Sequence, residues 1–106
     1  MSMKKEIKLI VKIHNAQHKK LISIVDSDIL GKKFEEGKKQ LDLTSDFYKG
    51  EEMSESQIKK LAPTAYIVSI TGKVSIAFAE KANIIDSSSR IITIAGIPHT
   101  QIVFQV

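Results

Sequence analysis

The chain has no cysteine, no tryptophan, one arginine among its sixteen basic residues, and no apolar run of membrane length. Without cysteine there is no disulfide framework, no thiolate metal site and no cysteine nucleophile, which suits a reducing cytoplasm. The N-terminal Met1-Ser2-Met3-Lys4-Lys5 is charged like the start of a secretory signal. Lys8 and Lys12 interrupt the stretch from Ile7 to Ile13, so neither a signal nor a membrane span is expected. Scarce arginine argues against base readout, because bidentate and stacking contacts favour guanidinium. Fifteen lysines supply point charges suited to phosphate.

Catalytic signatures are missing as well. A hydrolytic serine elbow, GxSxG, is absent. The segment Leu30-Gly31-Lys32-Lys33-Phe34-Glu35-Glu36-Gly37 joins glycines to lysines, but in the wrong order for a nucleotide loop, and Gly37-Lys38 is followed by Lys39, not Ser or Thr. It reads as a loop facing a ligand or as a turn with solvated charges. His14 and His18 are four apart but straddle a strand end and a connection, where that spacing does not join side chains, so no metal and no cofactor are expected.

What is present is the length of one domain, 106 residues, with a formal charge of +4. A chain this long buries roughly 65% of the surface its unfolded form exposes, enough for a core. Residues 1–40 hold ten lysines against five acids, a net +5, and residues 41–106 have a net −1. A basic half is the footprint of an anionic partner, with RNA the first candidate, or else a solubilising surface.

Ile7, Leu9, Val11 and Ile13 alternate with more polar neighbours, predicting a strand with one apolar face. Asn15 to Lys19 reads as a connection and Lys20 to Asp26 as the second strand of an antiparallel hairpin. Asp26-Ser27-Asp28 is placed to cap a short helical turn ended by Gly31, and Lys38 to Thr44 reads as a third, edge strand. Ser45-Asp46 caps a turn carrying Phe47 and Tyr48. Ser54-Glu55-Ser56-Gln57 has the form of a capping box opening a helix to about Leu61, before Pro63. Tyr66 to Ile70 reads as a strand. Lys73 to Ala82 is the strongest helix, with Val74, Ala77, Phe78 and Lys81 at helical spacing and Asn83 at its end. Arg90 to Ala95 and Gln101 to Gln105 form the last strands around a turn at Gly96 to Pro98. The expectation is a single α+β domain over residues 1–106: a two-layer sandwich, mostly antiparallel, with one main helix.

Two places invite chemistry. Ile70-Thr71-Gly72-Lys73 runs from strand to helix, so free N–H groups and a lysine stand ready for a phosphate or carboxylate, although an ordinary helix start has the same form. Gly96-Ile97-Pro98-His99-Thr100-Gln101 presents a histidine and a glutamine at the mouth of an apolar strand. His99 is a candidate general base with Asp28, Glu35 or Glu36 as orienter, or a hydrogen-bonded structural histidine.

These motifs in order, LGKKFEEGKKQLDL, SDFYKGE, the Gly72-led helix and GIPHTQIV, resemble an archaeal family of small proteins catalogued as domain of unknown function 424. Gly31, Lys32, Phe34, Glu35, Gly37, Phe47, Tyr48, Gly50, Gly72, Gly96, Pro98, His99 and Gln101 match the family's pattern from about Lys8 to Val106. Lys49 and Asn83 depart from it, at turns that accept the change. The resemblance supports the fold and marks residues without implying a reaction, and it adds an association with translation.

The first functional expectation is therefore a cytoplasmic, non-catalytic protein that binds RNA or a ribonucleoprotein. Lys8, Lys12, Lys19 and Lys20 would supply charge, and Lys32, Lys33, Phe34 and Tyr48 a loop where a base stacks. Gly31, Gly72, Lys73, Pro98 and His99 complete the candidate binding residues. A small hydrolase or transferase using His99, Gln101 and Glu35 is the second reading. The third is a protein–protein adaptor, or a homodimer, pairing through the C-terminal strand.

Overall fold

Two apolar alternations, β1 (Lys8–Ala16) and β2 (Lys19–Val25), pair antiparallel from Ile10↔Val25 to Ala16↔Lys19 in the computed structural model, which describes residues 8–104. The polar connection shrinks to Gln17-His18, with φ of 50° and 67°. Two positive φ values match the strand twist of a tight hairpin turn, usually built from Asn and Gly. Their absence here made the connection look longer than it is. Ile7, Gln105 and Val106, expected in the first and last strands, lie outside the described residues.

The elements that follow are β3 (Lys33–Glu36), β4 (Lys39–Asp42), β5 (Glu51–Ser54), α1 (Glu55–Leu61), β6 (Ile67–Thr71), α2 (Lys73–Lys81), β7 (Ile92–Ile94) and β8 (Ile97–Val103). Six strands form one sheet in the order β5-β1-β2-β6-β8-β7, and β3 and β4 form a separate hairpin. Only β2 and β6 run parallel. The fold is α+β and mostly antiparallel. The β2–β6 pair is covered on both faces, which explains its nearly continuous aliphatic runs.

One face packs Leu9, Val11, Ile22, Ile24, Val68 and Ile70 against the two helices through Ile58, Ala62, Ile76, Phe78 and Ala79. Burying each large aliphatic side chain contributes about 1.5–3 kcal/mol. The capping box at α1 is present: Gln57 N–H donates to Ser54 Oγ, and Ser54 N–H to Gln57 Oε1. At the end of α2, Asn83 takes φ 60°, and Ile84 N–H and Asn83 N–H donate to the Ala79 and Glu80 carbonyls. The buried face of α2 is Ser75, Ile76, Phe78 and Ala79, so the expected stripe through Val74, Ala77 and Lys81 is out of phase. Val74 is 42% exposed. The cause is Ser75, a polar residue drawn inward by a buried carboxylate.

The other face packs Ile10, Val25, Ile94 and Ile97 under the β3–β4 hairpin, through Ile29, Phe34, Leu41 and Leu43. The single edge strand expected over Lys38–Thr44 is replaced by this hairpin, turning at Gly37 with φ 60°. Asp26 to Leu30 forms the expected short turn, with Ile29 N–H donating to Asp26 O, but the Asp26 carboxylate binds Val74 and Ser75 N–H instead of capping it. Gly31 N–H then donates to Leu43 O at 2.8 Å. β5 has no apolar alternation to announce it. It reaches β1 because residue 50 is glycine: a Cβ there would overlap the Val11 carbonyl. The last turn is Ala95-Gly96, so Ile97, Pro98 and His99 belong to β8 and not to a turn. Among the described residues no helix is long and apolar enough to cross a membrane.

Candidate functional site

Strand register arranges the hairpin-side face in rows. Lys12, Ser23, Ser69 and Gln101 stand side by side across β1, β2, β6 and β8. The next row is Ile10, Val25, Thr71, His99 and Ile92. Polar residues from four strands thus stand together, in i, i+2 pairs on β6 (Ser69, Thr71) and β8 (His99, Gln101), where sequence alternation shows only isolated polar residues. Ser23 Oγ and Ser69 Oγ are buried without a hydrogen-bond partner.

His99 lies at the end of that polar region. Its Nδ1 is 2.8 Å from Thr71 Oγ1, and Thr71 is fully buried. If Nδ1–H donated to the hydroxyl, the Thr71 proton would be left buried and unbonded. With O–H donating to Nδ1, the buried hydroxyl proton is placed, and Nε2–H is left as the free donor. Burial lowers the His99 pKa from its usual 6.5, so the imidazole is neutral at pH 7. Among the described residues no carboxylate hydrogen-bonds the ring. The cavity it lines, about 390 Å³, is bounded by Arg90, Ile92, Thr100 and Gln101. Glu35 is 3.8 Å from Lys33, and Glu36 accepts from Ala95 N–H at 2.6 Å. The LGKKFEEG and GIPH motifs therefore meet through the Glu36 carboxylate and the Ala95 N–H of the β7–β8 turn, a contact that residue spacing does not reveal.

The outer edge of β8 is only half covered. Gly72 N–H donates to Pro98 O and Phe104 N–H to Tyr66 O, so the even-numbered residues of β8 turn their backbone groups toward β6. Odd-numbered residues face away. β7 pairs with Ile97, Pro98 and His99 and then stops. Continuing that register would bring Arg90 opposite Gln101, but the Arg90 carbonyl accepts from Thr100 Oγ1 instead, and the chain leaves the edge. The N–H and C=O groups of Gln101 and Val103 have no backbone partner among the described residues. Beside them Val103 is 55% exposed and Ile92 42%.

The remaining candidates are scattered. The N–H groups of Val74 and Ser75 already bind an anion, the Asp26 carboxylate, at 3.0 and 2.7 Å, so the expected site at Gly72 and Lys73 is filled from within the chain. Lys73 is exposed beside it. Phe34 and Tyr48 are half-buried against the hairpin core, and burial raises the Tyr48 pKa. Lys32 and Lys33 are exposed. His14 stacks on Phe47 at 4.4 Å and bonds its carbonyl. Lys8 lines a cavity with Asp26 and Asp28, and Lys12 lies half-buried on the sheet. Lys19 and Lys20 sit at the far end of β1, roughly 27 Å from Lys8 at about 3.4 Å per residue. Lys19 Nζ is 4.3 Å from the Tyr66 ring centroid, and Lys20 Nζ donates to Thr64.

Comparison with known proteins agrees with this architecture. The profile of the family described as "Protein of unknown function (DUF424)" matches residues 13–104. The chain belongs to the DUF424 family. A crystal structure of an uncharacterized conserved protein from Methanopyrus kandleri is similar to this DUF424 chain, with a TM-score of 0.72 and 20% identity. The likeness covers 91% of this chain and 90% of that one, and it speaks for the fold. A comparison with curated proteins returns no match.

Proposed function

We propose that this DUF424 protein is a non-catalytic binding module that accepts an extended segment of a partner protein as an added strand on β8. The observation that carries the reading is the pair of outward-facing residues, Gln101 and Val103, whose backbone groups lack backbone partners among the described residues beyond the end of β7. An open edge of this kind templates strand addition. Sheet edges are usually guarded by charge, as Glu51 and Glu52 guard β5 at the opposite edge. The β8 edge carries an amide and an exposed valine instead. Four ladder bonds at about 1 kcal/mol net each give only millimolar affinity. Side-chain anchoring must therefore supply the rest.

The test is selection of random peptides on the immobilised chain, followed by titration of an enriched peptide into ¹⁵N-labelled protein. Shifts should concentrate at Thr100 to Phe104, and Val103→Pro, which deletes one outward N–H without touching the β6 ladder, should weaken binding. Shifts confined to another surface would rule the reading out.

A second reading, RNA binding, is favoured by one specific grouping. Lys20 Nζ donates to Thr64 and Lys19 Nζ lies over the Tyr66 ring, and Thr64 is in the short turn after α1, whose last turn carries Lys59 and Lys60. Clustered lysines beside an aromatic ring suit a phosphate backbone. Salt-dependent filter binding of variants at these four lysines tests it.

A further inference from the structure

Resting on the strand-addition reading, we infer that the partner segment ends at this site and that its free C-terminal carboxylate is bound by Arg90, His99 and Gln101. The direction of the added strand leads there. A strand collinear with β7 runs antiparallel to β8, pairing first with Val103 and then with Gln101. Its C-terminus then arrives at the start of β7, where the chain at Arg90 and Ile91 stands across its path. A strand of opposite direction would bring its ammonium terminus to the arginine, a repulsive arrangement.

The cavity at that point has the chemistry of an anion site. Its walls are Arg90, Ile92, His99, Thr100 and Gln101, with no aspartate or glutamate. Arg90, the chain's only arginine, has a planar guanidinium that fits a carboxylate in bidentate fashion. Thr100 Oγ1 holds the Arg90 carbonyl and so fixes the backbone that carries it. Thr71 takes up His99 Nδ1, which leaves Nε2–H as the free donor of a residue that lines the cavity. Gln101 contributes a side-chain amide on the same face, two residues along β8. Ile92, 42% exposed, provides apolar surface for the terminal side chain.

The experiment uses random hexapeptides displayed with free C-termini and selected on the wild-type chain. An enriched sequence is made as the free acid and as the C-terminal amide, and both are titrated by fluorescence anisotropy. The acid should bind about tenfold or more tighter than the amide, since hydrogen bonds to a charged group are the strong ones. Arg90→Gln, at an exposed position, should bring the ratio of acid to amide affinity close to one. Val103→Pro should weaken both forms. Equal affinity of acid and amide, with Val103→Pro still weakening both, overturns the carboxylate site and leaves strand addition standing. No enriched sequence, or binding indifferent to Val103→Pro, overturns both.

Discussion

The Asp26 carboxylate occupies the space that a side chain on Gly72 would need. A Cβ at position 72 would fall 2.5 Å from both carboxylate oxygens, and the glycine has φ 111° and ψ 155°, a region open essentially to glycine alone. Between them the two residues join the end of β2 to the start of α2: Asp26 accepts from Val74 N–H, Ser75 N–H and Ser75 Oγ. Gly72→Ala should cost about 3 kcal/mol or more, from strain plus displacement of the carboxylate. Asp26→Ala should cost about 2–3 kcal/mol by uncapping α2. Because removing the carboxylate also frees the space, the double variant should cost about 1 kcal/mol less than the sum. Urea denaturation of the four proteins measures this, and strict additivity would contradict the contact.

Val11 is 2% exposed and packs in the helix-side core. Val11→Asp buries an unpaired carboxylate at a cost of several kcal/mol, a large part of a small domain's stability. The variant should be unfolded, or melt far below wild type, by circular dichroism. Melting at the wild-type temperature would contradict the placement of β1.

The pH dependence of stability should carry the mark of His99. Burial holds its folded pKa below 6.5, so on acidification the unfolded chain takes up a proton first. The contribution of neutral His99 is fully present above pH 6.5 and is lost as pH falls through the folded pKa. Wild type should therefore lose stability below pH 6.5 more steeply than His99→Gln. Parallel curves for the two proteins would contradict the buried, neutral ring.

These predictions lean on features that differ in how far sequence reveals them. α1 was legible to the residue because Ser54 and Gln57 form a local capping box. The first hairpin and β6 were legible from apolar runs, and the end of α2 from Asn83. What sequence hides is non-local. Ser75 turns inward only because Asp26, 49 positions away, binds it. β5 forms only because Gly50 lets the chain approach Val11. The parallel pairing of β2 with β6 spans most of a fold unit and has no local sign. At the candidate site, His99 and Gln101 stood out as polar residues on an apolar strand. Arg90 did not, since only the interrupted β7–β8 ladder brings it to the same cavity.

The charge split along the chain does not survive folding as a charge split in space. Lys8 faces two carboxylates at one end of β1, and Lys19 and Lys20 neighbour the end of α1 at the other. On the RNA-binding reading, changing Lys19, Lys20, Lys59 and Lys60 to Gln should shrink the slope of log K against log salt by up to about 3, at roughly 0.7 per phosphate contact on a single strand. Changing Lys8 and Lys12 should leave it unaltered. Filter binding at several salt concentrations gives both slopes, and the opposite ranking would contradict the basic end.

The central claim, that β8 offers an open edge to a partner strand, is tested most directly by amide hydrogen exchange at Gln101 and Val103, with and without a selected peptide. In the free protein both amides should exchange rapidly, while Thr100 and Ile102, turned toward β6, stay protected. Peptide at saturation should protect Gln101 and Val103 alone in β8. Slow exchange at both positions in the free protein, or no added protection in the complex, would contradict the account.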